Sequence, residues 1–157
     1  MILWHGSNVV VAQPDILHSR DCVDFGRGFY VTPFRSQAAR LCTRYVRLGQ
    51  QGILSRYNFD EEAVRSFSCL VFAGYTGEWL SFVMKCRRGE DDTSFDIVRG
   101  GVANDNVFNT VELFSNGMIQ RDEALRRLRY EKPNEQICFR TQQAIDACIH
   151  FSGTEAP

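Results

Sequence analysis

Apolar positions along this chain switch repeatedly between a period of two and a helical period, which predicts short strands and helices in mixed order. Ile2, Leu3 and Trp4 form a short apolar opening that reads as a buried strand. The stretch "SNVVVAQPDILHSRDCVDFG", punctuated by Pro14 and Gly26, reads as loop. "GFYVTP" is a compact strand stopped by Pro33. In "RSQAARLCTRYVRLGQQG" the residues Ala38, Leu41, Cys42 and Tyr45 keep helical spacing, with Ser36 as the expected N-cap and Gly49 as the stop.

"ILSRYNF" alternates as a strand, and "DEEAVRSF", capped by Asp60 with acids in its first turn, predicts a short helix. "CLVFAG" reads as a buried strand. "GEWLSFVMKCRRG" places Trp79, Leu80, Val83 and Met84 on one helical face, and "FDIVRGGVAND" reads as a strand closed by glycines. Val107, Phe108, Val111 and Phe114 form a stripe, and "RDEALRRLRY" predicts an amphipathic helix with Ala124, Leu125 and Leu128 inward, broken by Pro133. "EQICFRT" has the alternation of a half-buried strand, and "QQAIDACIHF" is expected to close the chain as a helix. Strands and helices mix without a regular βαβ rhythm, so the expected class is α+β.

A length of 157 residues predicts one domain spanning 1–157, with 44% hydrophobic and 24% charged residues as in ordinary globular proteins. A net charge of -1 gives no global field toward nucleic acid or an acidic membrane. None of the 6 cysteines forms a Cys-x-x-Cys pair, and His5, His18 and His150 stand at no ligand spacing from them, so no metal is expected. Cys42, Cys69, Cys86 and Cys138 lie in apolar runs, as reduced, buried thiols of a cytoplasmic protein would. No leader-like opening and no apolar run of ~18 residues is present, so a membrane is not an expected partner.

Three stretches are candidates for chemistry: His5-Gly6-Ser7 at a strand end, "DFGRGFY" from Asp24 to Tyr30, and "NEQICF" from Asn134. Taken singly they read as a structural histidine, a glycine turn and an exposed glutamate. "GRG" lacks the spacing and the strand-then-helix context of a dinucleotide fingerprint.

In combination and in this order, "LWHGS", "FGRGFYVT" and "NEQICF" resemble the catalytic domain of poly(ADP-ribose) polymerases and related ADP-ribosyltransferases. The likeness extends to small stand-alone bacterial members through "DFG-x-GFY-x-T", a Trp-bearing central helix and "FDIV-x-G-x-VAND", and so covers nearly the whole chain. It implies two packed, mostly antiparallel sheets with surrounding helices and a central NAD cleft. It implies transfer of single ADP-ribose units from NAD, the substrate, to a macromolecular acceptor, protein or nucleic acid, with release of nicotinamide. The bacterial members imply a toxin or effector role beside a neutralising partner protein.

Carried onto this chain, the resemblance implies a triad of His5, Tyr30 and Glu135. His5 would bond the adenosine ribose, the Gly6 backbone would grip the nicotinamide carboxamide, and Ser7 would lie against it. Tyr30 would cover the nicotinamide ring. Gly28 joins the NAD-binding set, and Arg20, Arg27 or Arg35 would meet the pyrophosphate. Glu135 would hold the ribose 2′-hydroxyl as positive charge develops on the sugar, the task carboxylates perform in glycoside-cleaving sites.

Two departures stand out. A second aromatic expected on the following helix is replaced by Leu41, with Tyr45 a turn further on. Gln136 follows the glutamate where the polymerases carry an aromatic, and shares or carries its role. Arg40, Arg44 and Arg47 form a basic stripe that is either a solvated face or a recruiter of acidic targets. NAD hydrolysis, removal of a 2′-phosphate from RNA and a silent binding module are the competing functions.

Overall fold

A computed structural model describes residues 1–129 and 134–157. In chain order the elements are β1 (Ile2–Ser7), β2 (Phe29–Val31), α1 (Arg35–Arg47), β3 (Ile53–Phe59), β4 (Cys69–Val71), α2 (Gly77–Arg87) and β5 (Ile97–Gly100). They continue with α3 (Asp105–Ser115), α4 (Arg121–Leu128), β6 (Gln136–Phe139), α5 (Gln142–Cys148) and β7 (Ile149–Glu155). The fold is α+β with two sheets. One has the order β1-β3-β7 and is antiparallel; the other is β2-β6-β5-β4, antiparallel except where β4 runs parallel to β5.

The centre of the second sheet is buried on both faces, while its edge strand β4 is exposed. On one, Phe29, Val31, Ile97, Ile137 and Phe139 meet Leu3 and Tyr57 of the first sheet together with Ile145 of α5. On the other, Val98 and Cys138 lie under Phe25 and the apolar sides of α2, α3 and α4. Trp79 of α2 is fully buried in this second core, and its indole Nε1 donates to Gly101 O at 3.2 Å, so that N–H is not stranded. β6 is therefore a fully buried strand, not the half-buried one that its alternation predicted. Gln136 and Cys138 face the α2–α4 core instead of water.

Other expectations shift for local reasons. Helix α1 is capped by the extended backbone of Phe34, and Ser36 lies inside its first turn. Asp60 does cap, accepting from the N–H of Glu62 and of Ala63 at 3.0 Å each, but the chain then makes only a single 3-10 turn, Ala63–Ser66. β4 is an exposed edge strand, so Cys69 is exposed while Cys42, Cys86, Cys138 and Cys148 are buried. Phe108 leaves the α3 stripe and carries the Arg87 guanidinium 4.5 Å above its ring. The closing helix ends at Cys148, and the chain turns into β7, a strand that the sequence reading missed. The expected helix end at Tyr130 and the break at Pro133 lie outside the described residues. Among those residues, no helix is long and apolar enough to cross a membrane.

Candidate active site

β1 meets β2 at a single antiparallel bridge. Trp4 N–H donates to Thr32 O at 2.8 Å, and Thr32 N–H returns the bond to Trp4 O at 2.9 Å. Two residues on, an unbroken ladder would pair Gly6 with Tyr30 in the same way. Instead His5 Nδ1 lies 2.8 Å from Tyr30 O. A carbonyl only accepts, so Nδ1 carries the proton and the imidazole stands in for the Gly6 N–H. Gly6 is buried, and its N–H and C=O, on the edge that faces β2, make no pair with that strand among the described residues. The His5 ring packs on Phe29 with centroids 4.6 Å apart, and burial pushes its pKa below the ordinary 6.5. Neutral His5 keeps a lone pair on Nε2, which has no hydrogen bond among the described residues.

Glycine is needed at position 6 for a reason other than ligand approach. A Cβ there would run into Ala38 O of α1 and come within 3.2 Å of Cys42 Sγ. The helix packs directly on the β1 backbone. Ser7 is buried, and its hydroxyl donates to Val9 O at 2.6 Å, closing the turn that leaves β1.

The second block folds back on itself. Gly26 takes φ +74°, the left-handed region that suits glycine, and Tyr30 closes the loop: its hydroxyl donates to Gly26 O at 2.6 Å and accepts from Phe25 N–H at 3.0 Å. Burial raises the Tyr30 pKa far above the usual phenol range, so the hydroxyl stays protonated. A Cβ on Gly28 would stand 2.5 Å from both Cys138 Sγ and Phe139 O, so here too the glycine serves strand packing. Arg27 is exposed and holds the preceding loop, donating to Ile16 O at 3.2 Å and Leu17 O at 3.4 Å. Arg20 is exposed on that same loop, and Arg35 pairs with Glu155 at 3.1 Å.

The third block joins the second through β2–β6 pairing, in which Tyr30 faces Cys138. Tyr30, Cys138 and Gln136 therefore share a sheet face. Gln136 Nε2 donates to Asp24 Oδ2 at 3.1 Å and to Gly101 O at 3.3 Å. Glu135 serves the other face: its carboxylate pairs with Arg99, whose strand partner is Ile137. The Gln37 side chain of α1 clasps the Glu135 main chain, donating to its O at 2.8 Å and accepting from its N–H at 3.3 Å. Thus β1, β2 and β6 lie side by side and bring all three blocks together, with Glu135 and Gln136 on opposite faces.

Asp24, Gln37, Arg99 and Asn134 complete the site, and sequence reasoning gave none of them a role. Asp24 accepts from Arg87, Gln136 and Ala103 N–H. Asn134 Oδ1 accepts from Val102 N–H at 2.7 Å and the Tyr75 hydroxyl at 2.9 Å. Arg99 left one signal, a cation inside an otherwise apolar strand. "VANDN" lies against this cluster, and Asn104 also caps α3, accepting from Val107 N–H at 3.0 Å. Leu41 is 55% exposed and Tyr45 half-buried on α1, while Arg40, Arg44 and Arg47 are exposed. Two surface cavities, of about 570 and 350 Å³, lie elsewhere, around α5 and β7 and beside Asp60.

Fold and site define an α+β protein with an opened strand junction flanked by a neutral histidine, a half-buried tyrosine and a Glu-Gln pair. Residues 1–151 match the family described as "Protein of unknown function (DUF3990)", and the chain belongs to that family. No curated protein matches it.

Proposed function

We propose that this chain is an NAD-dependent ADP-ribosyltransferase with an ADP-ribosyltransferase-like fold, its NAD cleft at the β1–β2 opening. It moves single ADP-ribose units to a macromolecular acceptor and releases nicotinamide. The observation that carries this reading is the unpaired Gly6 edge. One N–H donor and one C=O acceptor, side by side, match a carboxamide as a missing strand would.

The surrounding residues suit the rest of the chemistry. Phe29, on which the His5 ring packs, keeps the opening apolar, which strengthens any charge interaction within it. Neutral His5 offers Nε2 as an acceptor to a ribose hydroxyl. Glu135 supplies negative charge that can strengthen its hold on the sugar as the bond to nicotinamide breaks and positive charge grows. Gln37 fixes the main chain from which that carboxylate projects, so it need not reorganise during the reaction.

The test is to incubate purified protein with adenine-labelled NAD and cell lysate, following nicotinamide and label together. Nicotinamide release with label on a macromolecule supports the transferase. Release with free labelled ADP-ribose alone makes the protein a hydrolase, and no release removes the reading.

A further inference from the structure

The Gln136 amide has a fixed sense. Its Nε2 faces Asp24 Oδ2 at 3.1 Å and Gly101 O at 3.3 Å, and both of those atoms only accept. Turning the amide over would press Oε1 against a carboxylate and a carbonyl. Both N–H bonds are therefore used inward, and Oε1 is left as the residue's free hydrogen-bonding atom. It is not sealed off, because the buried, unpartnered side-chain polar atom among the described residues is Arg56 Nε and not this one. A nearly buried glutamine thus presents a single acceptor on the face that it shares with Tyr30.

Asp24 is itself held rigidly. Arg87 donates to its Oδ1 through Nε at 3.0 Å and Nη2 at 2.6 Å, and Ala103 N–H donates to Oδ2 at 3.1 Å. Side-chain exposures of 19% for Arg87 and 13% for Asp24 make this a largely desolvated ion pair. Such pairs are poor sources of stability compared with apolar packing, but they do fix geometry. The same carboxylate ties the loop before β2, helix α2, the loop after β5 and the start of β6.

We infer that Asp24 is a positioning residue that locks Gln136 with Oε1 outward, as the acceptor for a hydroxyl of a bound ribose. This rests on the NAD reading above. It divides the labour of adjacent residues: Glu135 brings charge, and Gln136 brings a neutral acceptor of fixed direction.

The test is a double-mutant cycle on nicotinamide release from NAD, with thermal unfolding of each variant measured alongside. In Asp24→Asn two amides face each other and the lock is lost, so kcat falls about tenfold; in Gln136→Glu two carboxylates collide and kcat falls about a hundredfold. The double variant restores a donor–acceptor pair: the amide now at position 24 donates to the carboxylate now at position 136, whose second oxygen points outward. Because that carboxylate still faces Gly101 O and Ala103 N–H loses its acceptor, the double variant recovers part of the loss, about threefold over Gln136→Glu. Losses that simply multiply overturn the positioning role. A wild type that releases no nicotinamide overturns the NAD reading instead, and this inference with it. Gln136→Met, which fills the space without an acceptor, keeps the test open if a charged variant does not fold: its kcat drops at least about a hundredfold while its melting temperature falls by only a few degrees, because Asp24 Oδ2 keeps Ala103 N–H and Gly101 O keeps the Trp79 indole. Retained turnover in that variant overturns the inference.

Discussion

Tyr30 gives its carbonyl oxygen to the His5 imidazole, 2.8 Å away, where a continuing ladder would give it to Gly6. One side chain thereby ends strand pairing and leaves the buried Gly6 N–H and C=O without a partner on β2. The same bond fixes the tautomer, with the proton on Nδ1 and the lone pair on Nε2. Burial against Phe29 keeps the ring neutral in the folded protein.

That neutrality predicts a pH dependence. The folded pKa lies below 6.5, so as pH falls the unfolded chain binds the proton first. The stability contribution is complete above about 6.5 and is lost as pH falls from there through the folded value. Urea unfolding across this range is expected to show the decline in wild type and a flatter profile in His5→Gln. Parallel profiles would assign the dependence to another group.

Glu135→Gln is expected to lower nicotinamide release about a hundredfold to a thousandfold, because the proposed transfer would lose a fixed charge at its developing cation. The fold should hardly notice. Gln37 grips the main chain of Glu135, and the Arg99–Glu135 pair is partly exposed at 38% and 24%, so its loss costs no more than about 1 kcal/mol. Turnover and melting temperature measured on one preparation separate the two effects. Wild-type turnover in the variant would remove Glu135 from the chemistry.

Tyr30→Phe divides ring from hydroxyl. The hydroxyl bridges Gly26 O and Phe25 N–H, and losing it costs about 1–3 kcal/mol. Turnover should persist, since a phenol held protonated by burial takes no proton at neutral pH. Tyr30→Ala, which also removes the ring, is expected to lose both stability and turnover. Denaturant midpoints paired with nicotinamide release give the comparison, and a Tyr30→Phe variant that is stable but inactive would point to a chemical role for the hydroxyl.

Much of this site was legible as residue types in order, and much less of it as contacts. His5, Tyr30 and the Glu-Gln pair stand at strand ends in the sequence, and adjacent strands do bring them together. Which face each occupies depends on register, which no local pattern carries: Gln136 read as solvent-facing because its burial rests on Asp24, 112 positions away. Gly6 and Gly28 looked like ligand-approach glycines, whereas the obstacles to a Cβ are Ala38 O and the β6 chain. β7 escaped notice because an edge strand needs only one paired side, and its Phe151 stays 38% exposed. Secondary structure follows local spacing; the polar network follows tertiary distance.

The basic stripe of α1 gives the last prediction. Arg40, Arg44 and Arg47 are exposed and make no ion pair among the described residues, although like charges at helical spacing cost a few tenths of a kcal/mol. Gln37 of this helix holds Glu135, so an acidic acceptor drawn to the stripe would arrive beside the site. Replacing all three arginines with glutamine should lower label transfer from NAD to lysate macromolecules at least about tenfold at low salt, where unscreened charge steers association most. Nicotinamide release to water should stay at the wild-type rate, because none of the three touches the β1–β2 opening. Equal labelling by both proteins would make the stripe a solvated face and move the search for an acceptor surface to another face of the molecule.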